Sequence, residues 1–366
     1  LHAGLRLGPG RPRSVVRARR RPSLRSMAGG RKLEVGPLMT ETQLTIRGYR
    51  PGDEIAINHG FNQAFRCQRP IAEWAWKFPP DPDGRLIVVA ERDEELVAHY
   101  AALPTRFQID GVVWGGGQIV DVFATPSSRS GIARRGAMVA TAEEFFDRIG
   151  RSGRHPFLYG FPGPRHRRQG SLQLGYGEMG FEPITYLSRR VAGSAAHRRF
   201  SYRAEPARDW EPRLDELWSR ASSDYPAAVV RDAAWALRRL AGHPSTRYHR
   251  FLVFPRLSNR PVAFVAFRTD HLRCRWVDLV WDHDHPGAMD LLLHLSARLA
   301  VQVGAELEEM WLNGDAQGRA HLEACGFECI PDPAGLAFGG RSFHADLDLG
   351  TVAARAYLTM ADADLV

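Results

Sequence analysis

The stretch "DVFATPSSRSGIARRGAMVATAEEFF", residues 121–146, contains an apolar strand, a turn of small residues and an amphipathic helix in direct succession. The turn holds Pro, Ser, Gly, Ala and Arg, but its core, "PSSRSG", has no large apolar side chain. The first N–H groups of a helix have no partner within the helix, and together with the helix dipole they attract an anion, above all a phosphate. Bulky side chains would block that approach. The pattern therefore predicts an anion-binding turn, with a plain strand–helix connection as the alternative.

Basic charge is concentrated at the start of the 366-residue chain. The chain has a net charge of +8, while residues 1–38 hold nine Arg and one Lys against one acidic residue, so the remainder carries −1. A nearly neutral body argues against a nucleic-acid partner, because such binding needs basic groups on the folded surface. Rich in Arg, Pro and Gly, residues 1–38 are predicted to be a disordered tail. A transit peptide or an over-extended start before Met39 would explain the tail.

The composition also indicates how many domains the chain forms, whether it crosses a membrane and whether it binds a metal. With 44% hydrophobic residues, the chain is long enough for two domains. No apolar run approaches the roughly 20 residues that cross a bilayer, so a cytoplasmic protein without a membrane partner is predicted. The four cysteines have no spacing that completes a zinc site, and we expect reduced core thiols and no metal. They are Cys67, Cys274, Cys325 and Cys329.

The two halves of the chain repeat one order of elements. After Met39, the patterns predict a strand, a helix, a strand meander, the opening turn with its helix, a further strand and a short helix. The second half repeats the meander, the long helix, a strand and a helix, and Val120-Asp121-Val122 recurs as Val277-Asp278-Leu279. A duplicated domain explains this pattern. The predicted divisions are a tail at 1–38, domains at 39–192 and 206–366, and a linker at 193–205.

Three segments carry a resemblance to a known family. They are "TIRGYRPGDE" (45–54), "IVDVFATPSSRSGIARR" (119–135) and "FLYGFPGPRHRRQGSLQLGY" (157–176). In their order and content they resemble the GNAT (GCN5-related) N-acyltransferase superfamily. The resemblance implies an α/β fold with mixed sheets, arranged as tandem GNAT domains. Each domain would have a mostly antiparallel meander, then a parallel, splayed strand pair with flanking helices. The tandem arrangement is similar to long-chain N-acyltransferases of glycopeptide-antibiotic (teicoplanin-class) biosynthesis.

The resemblance also implies a cofactor site. In the family, the turn cradles the pyrophosphate of acyl-CoA through the consensus Arg/Gln-x-x-Gly-x-Gly/Ala, which residues 128–133 match except for a leading Ser. The co-substrate would be acetyl-CoA or a longer aliphatic acyl-CoA. The second half has "DHDHPGAMDLLL" at the corresponding place, so we expect acyl-CoA in the first domain only. The implied binding residues are Val122, Phe123, Ala124, Arg129, Ser130, Gly131, Ile132, Ala133 and Arg134.

Candidate catalytic residues follow from the same resemblance. A Tyr in the last helix commonly protonates the departing thiolate in GNAT enzymes, but Ser171 occupies that position here. Ser171 would donate weakly, and three tyrosines are unranked substitutes, namely Tyr159, Tyr176 and Tyr186.

Histidine suits proton removal near neutral pH. The base would be His197 in the linker or His99 in a strand, with ordinary structural histidines as the alternative. The C-terminal carboxylate or the aspartates of "YLTMADADLV" form a third option. Asp121 would contact the acceptor or hold structure, since a carboxylate inside a strand is costly unless it is paired.

These features together predict an acyl-CoA-dependent N-acyltransferase that acylates a primary amine by direct attack on the thioester in a ternary complex. The acceptor would be a small-molecule amine, in the first instance an amino sugar of an antibiotic or other bacterial metabolite. The enzyme would be a monomer or a homodimer. The alternatives are an aminoglycoside or small-amine acetyltransferase, a tRNA-dependent aminoacyl or peptidoglycan-type transferase, and a non-catalytic acyl-CoA sensor.

Overall fold

A computed structural model describes residues 43–80, 84–125, 136–176, 180–191 and 201–364. Residues 42–366 form one compact unit. In chain order, the strands are β1 (Leu44–Gly48), β2 (Ile87–Arg92), β3 (Glu95–Ile109), β4 (Val112–Ala124), β5 (Phe157–Gly160), β6 (Glu182–Pro183), β7 (Tyr186–Arg190), β8 (Tyr202–Pro206), β9 (Ala227–Val229), β10 (His249–Pro255), β11 (Ala263–Thr269), β12 (Arg273–Trp281), β13 (Leu307–Trp311), β14 (Glu328–Ile330), β15 (Ala337–Ser342) and β16 (Ala356–Tyr357). The α-helices are α1 (Asp53–Phe65), α2 (Ile71–Lys77), α3 (Ala137–Phe145), α4 (Pro164–Gln173), α5 (Arg213–Ala221), α6 (Ala233–Ala236), α7 (Gly287–Val303), α8 (Ala316–Ala324) and α9 (Leu349–Arg355).

Two mixed sheets organise these elements. The first has the order β1-β2-β3-β4-β5-β15-β6, and the second has the order β14-β7-β13-β12-β11-β10-β8. In each sheet an antiparallel meander leads into a parallel pair, β4 with β5 and β12 with β13. The first sheet has a second parallel pair, β9 with β16. The predicted fold class, a repeated α/β arrangement with mixed sheets, is confirmed.

Local sequence explains the well-predicted elements. Asp110 and Gly111 both have positive φ angles, 48° and 82°, as a two-residue hairpin turn between right-twisted strands requires. Helix α7 ends at Gly304, whose φ of 72° gives the left-handed cap that glycine adopts without a steric cost. No helix in the described ranges is both long and apolar enough to cross a membrane.

The two sheets exchange strands across the predicted domain boundary. Strand β7, from the first half, lies between β13 and β14 of the second sheet. Strand β15, from the second half, lies beside β5 of the first sheet. The short strand β9 pairs with β3, and β16 pairs with β9, so the end of the chain also joins the first sheet. The domain limits at 39–192 and 206–366 stay a prediction, but the hydrogen-bonded sheets cross them.

The cysteines are only partly as expected. All four are free, and Cys274 is buried, where burial raises the pKa of its thiol to about 12. Cys67, Cys325 and Cys329 are exposed. The expectation of core thiols is wrong for these three, because they follow helix ends or lie on the edge strand β14 rather than on a buried face.

Candidate active site

Strands β4 and β5 diverge in the middle of the first sheet. They pair in parallel only over Gly116–Gln118 and Phe157–Tyr159, while β4 continues to Ala124. Beyond Gln118, β4 is therefore not paired with β5. The divergence opens a cleft between the carboxyl ends of two neighbouring strands, a common place for ligands in α/β sheets.

A β-bulge interrupts β4 where it lines this cleft. Its pairing with β3 skips a position between Ala101 and His99, so that Asp121 and Val122 both lie opposite Tyr100. Asp121 has a φ of 51°, which is uncommon for a residue other than glycine. The Nδ1–H of His99 donates to the Asp121 carbonyl oxygen at 2.7 Å. Because a bulge takes one residue out of the regular ladder, it re-aims backbone and side chain toward the cleft.

The Asp121 carboxylate is held by two cations. Arg69 donates to one oxygen and the Lys77 ammonium to the other, each at 2.5 Å, and the Asp121 side chain is only 1% exposed. Burial alone would raise the pKa of Asp121, but Lys77 and Arg69 hold it below its usual value. Asp121 is therefore ionised in the folded protein.

Lys77 joins this group to the end of the chain. Its ammonium also donates to Asp364 at 2.5 Å, and the Asp364 side chain is 25% exposed. Burial would lower the pKa of Lys77, but Asp121 and Asp364 raise it, so Lys77 is charged. Arg69, Asp121, Lys77 and Asp364 form an alternating chain of charges, called here the charge chain.

The twin of Asp121 has a related environment. Arg231 donates to Asp278 at 2.9 Å and to Asp362 at 2.5 Å, and all three side chains are fully buried. Here two carboxylates share one cation, whereas Asp121 has two cations. Burial and the neighbouring Asp362 accordingly raise the pKa of Asp278 to about 6, despite Arg231. The repeated aspartates thus have opposite pKa shifts.

A cavity of about 1040 Å³ lies along the cleft and reaches the charge chain. This volume lies above the usual range for a small-molecule site. The side chains that line it include aromatic rings, the charge chain and three histidines, namely Phe61, Arg69, Trp76, Lys77, Asp121, His155, Tyr159, Phe161, His166, Tyr176, Trp235, His243 and Asp364.

Three of the predicted acyl-CoA residues lie on β4. Val122 lines the cavity beside Asp121. The Phe123 ring instead stacks on the His99 ring with centroids 5.1 Å apart, and Ala124 pairs with Ala98 of β3. The remaining predicted residues lie outside the described residues, and they are Arg129, Ser130, Gly131, Ile132, Ala133 and Arg134.

The predicted catalytic residues occupy different places. His99 is fully buried and is not among the residues that line the cavity. Burial lowers the pKa of His99 to about 4, so its ring is neutral near pH 7. Ser171 is exposed on α4, outside the cavity. His197 lies outside the described residues.

Two of the three alternative tyrosines lie in the cavity. Tyr159 and Tyr176 line the cavity, whereas Tyr186 does not. The buried hydroxyl of Tyr176 contacts no hydrogen-bond partner among the described residues. Burial raises the pKa of Tyr176, so the phenol stays protonated.

Sequence reasoning missed Arg69 and Lys77, and it named the C-terminal aspartates only as one option. One compositional pattern pointed to Lys77. The chain has only two lysines, Lys32 and Lys77, among its 49 basic residues. In a chain that otherwise uses arginine, a lysine inside an apolar helix such as "IAEWAWK" marks a position where a compact ammonium is needed.

Comparisons with known proteins identify the class. Residues 45–184 match the family model of the acetyltransferase (GNAT) domain. This range includes the splayed strands, the bulge and part of the charge chain. No curated protein sequence matches the chain.

Solved structures share the fold at low sequence identity. A conserved protein of unknown function from Enterococcus faecalis V583, described as a probable N-acyltransferase, has a TM-score of 0.59 at 13% identity, covering 84% of this chain and 74% of its own. A GCN5-related N-acetyltransferase from Kribbella flavida has a TM-score of 0.57 at 17% identity, with coverages of 82% and 71%. Saccharomyces cerevisiae N-myristoyltransferase with bound myristoyl-CoA has a TM-score of 0.53 at 13% identity, with coverages of 84% and 81%.

Residues 45–184 are therefore a GNAT acetyltransferase domain by their sequence, and the solved structures share the fold of the chain. The predicted family and the predicted enzyme class, a GNAT-type acyltransferase, are confirmed.

Proposed function

We propose that the protein transfers an acyl group from acyl-CoA to the primary amine of an amino sugar. The observation that carries the proposal is the bulge of β4 in the cleft between β4 and β5, opening directly into the large cavity. A thioester in the cleft would place its carbonyl against the backbone of the bulge. A preorganised N–H at this point stabilises the negative charge that develops on the carbonyl oxygen.

The chemistry requires little more from side chains. The neutral amine nitrogen attacks the thioester carbon and the C–S bond breaks. The nitrogen loses a proton to solvent as the amide forms, and the CoA thiolate takes up a proton. Tyr176 is our candidate for the donor of that proton, because its buried hydroxyl is protonated, lines the cavity and contacts no described partner. General acids of this kind contribute about 10²- to 10⁴-fold to a rate.

The residues that line the cavity support the proposal that the acceptor is both cationic and cyclic. The Asp364 carboxylate of the charge chain would attract an ammonium, and the rings of Trp76 and Trp235, which line the same cavity, would pack against a sugar. Aromatic faces also attract cations. The volume leaves room for an acceptor larger than a simple alkylamine.

The structure of the second half of the chain supports the proposal that acyl-CoA binds only in the first half. At the start of α7, a Cβ added to Gly287 would lie 2.9 Å from the Tyr202 ring, so that ring covers the helix start. The Tyr202 hydroxyl also contacts His285 at 3.4 Å. The protein's own side chains occupy the place where a pyrophosphate would approach.

Isothermal titration with acetyl-CoA and decanoyl-CoA, followed by a thiol-release assay with D-glucosamine, tests the proposal. We expect binding of one stoichiometric equivalent and amine-dependent thiol release. Gly131→Asp should abolish acyl-CoA binding, because it adds a side chain and a negative charge in the predicted phosphate turn. Leu257→Asp adds the same charge at a fully exposed position and should bind acyl-CoA normally.

Two outcomes would count against the proposal. Absence of binding by both acyl-CoA thioesters would overturn it, and binding without amine-dependent thiol release would favour an acyl-CoA sensor. In the same assay, Tyr176→Phe should lower kcat with little change in the KM for acyl-CoA. An unchanged kcat would remove Tyr176 from the mechanism.

A further inference from the structure

The last described residues of the chain are fixed inside the molecule. Residues 359–364, called here the C-terminal segment, follow β16 and enter the cavity. Arg231 donates to Thr359 at 3.2 Å and to Asp362 at 2.5 Å, both buried. Arg239 donates to the carbonyl oxygens of Ala361, at 2.8 Å, and of Ala363. Two arginines therefore hold four of these six residues.

This anchoring places one carboxylate at the surface of the cavity. Asp364 meets Lys77 through its Oδ2 atom and keeps 25% of its side chain exposed. Asp121, the other carboxylate on Lys77, is 1% exposed and has both oxygens bonded to cations. Of the two, Asp364 is the carboxylate that a ligand in the cavity can reach.

We propose that Asp364 binds the ammonium group of the acceptor, and that Arg239 is the residue that positions Asp364. This inference rests on the proposed function and assigns its acceptor subsite. Lys77 binds one oxygen of Asp364, which orients the carboxylate, and Asp364 is among the residues that line the cavity. Asp121 keeps Lys77 in place and does not itself touch the acceptor.

The surroundings of Asp364 fit an ammonium joined to an apolar or cyclic body. Trp76 and Trp235, which are half-buried, line the same cavity as Asp364. A hydrogen bond to a charged partner contributes about 1.5–3 kcal/mol, and loss of one such bond lowers affinity by roughly 10- to 100-fold. The acceptor's affinity should thus depend on Asp364, while that of acyl-CoA should not.

Titration of the full chain with amine probes tests the inference. The probes are D-glucosamine and n-octylamine, both as ammonium salts, and the readout is the fluorescence of the tryptophans that line the cavity. Asp364→Asn should raise the Kd of the amines about 10-fold or more and leave the Kd of acyl-CoA unchanged. Asp364→Glu, which keeps the charge, should restore most of the affinity. The matched control is Asp346→Asn, a carboxylate with 83% exposure outside the cavity, which should bind both amines like the wild type.

Arg239 is tested as a positioning residue in the same titration. Arg239→Met should raise the Kd of the amines, and Arg239→Lys should recover part of the loss. Hydrogen exchange in residues 359–364 should be faster in Arg239→Met than in the wild type, because the segment loses the two hydrogen bonds from Arg239.

The outcomes separate this inference from the proposed function. Equal amine affinities in the wild type and Asp364→Asn would overturn it. It would also be overturned if neither amine binds the wild type, even where acyl-CoA binds and the proposed function stands. If acyl-CoA does not bind, the proposed function fails, and the amine titration still decides whether Asp364 receives an ammonium.

Discussion

His99, a buried side chain bonded to the bulge of β4, makes the stability of the protein depend on pH. Its Nδ1–H is bonded to the Asp121 carbonyl, its Nε2 contacts no partner among the described residues, and its side chain is inaccessible to solvent. Protonation would bury an additional charge beside Arg69 and Lys77. Burial is the main reason that the pKa of His99 falls to about 4.

This shift predicts how stability depends on pH. The unfolded chain takes up a proton near pH 6.5, whereas folded His99 stays neutral down to about pH 4. The unfolded state binds more protons in this window, so folding free energy is lost as pH falls from about 6.5 to 4. Through His99 alone, the free energy of unfolding is about 3 kcal/mol larger above pH 6.5 than below pH 4.

Urea unfolding at pH 7, 5.5 and 4.5 measures the effect. Because Asn at position 99 does not titrate, His99→Asn should lose less stability on acidification than the wild type, by up to about 3 kcal/mol. His344→Asn, at a partly exposed histidine, should follow the wild type. Parallel pH curves for the wild type and His99→Asn would show that His99 does not carry this dependence.

The residue scale is also where sequence reasoning reached its limit. The Asp121 carboxylate was recognisable as costly inside a strand, and the need for a partner followed directly. Its partners Arg69 and Lys77 lie 52 and 44 residues away, and no local pattern pairs them. Asp364 lies 287 residues from Lys77, so only the assembled fold brings them together.

Among the elements, β15 depends most on close backbone approach. Gly340 lies opposite Tyr159 of β5, and a Cβ added to it would lie 2.0 Å from the Leu158 carbonyl oxygen. Glycine inside a strand often marks such an approach.

A methyl group at this position should therefore force the two strands apart. Gly340→Ala is expected to destabilise the protein by about 1–3 kcal/mol, the usual cost of overpacking. Gly136→Ala is the matched control, because a Cβ there meets no atom within 4 Å and the φ of Gly136 is −58°. Urea unfolding of both variants measures the difference. Equal midpoints would contradict the close contact between β15 and β5.

Elements defined by local patterns were predictable, and those defined by distant partners were not. The hairpin at Asp110-Gly111 and the amphipathic helix α7 follow from turn residues and periodicity. The strand β15, "AFGGRS", has two glycines in six residues and resembles a loop. It is a strand because β5 and β6 supply its partners from about 180 and about 155 residues earlier in the chain.

At the scale of the whole molecule, strand exchange makes each sheet depend on both halves of the chain. The predicted repeat was visible because duplicated patterns are local. The exchange was not, since β7 follows the first repeat in sequence but pairs with β13 and β14.

The exchange predicts that the halves do not fold separately. Fragments 39–192 and 193–366 should each lack cooperative unfolding when produced alone, because each leaves strand partners unpaired. Co-expression of the two fragments should restore a stable complex. Near-ultraviolet circular dichroism and urea unfolding, with the intact chain as the control, measure this. Cooperative unfolding of either fragment alone would contradict the prediction.

The place of β15 also sets the order in which the chain becomes structured during its synthesis. Strand β5 ends at Gly160, whereas its neighbour β15 ends at Ser342. At about 5–20 residues per second, the ribosome needs roughly 10–40 s to add the intervening chain. Throughout that interval the nascent first sheet has an open edge at β5, able to pair with a second nascent chain. The strand β15 beside the cleft, and the Asp364 carboxylate that lines the cavity, therefore reach their positions only after most of the first sheet has been synthesised.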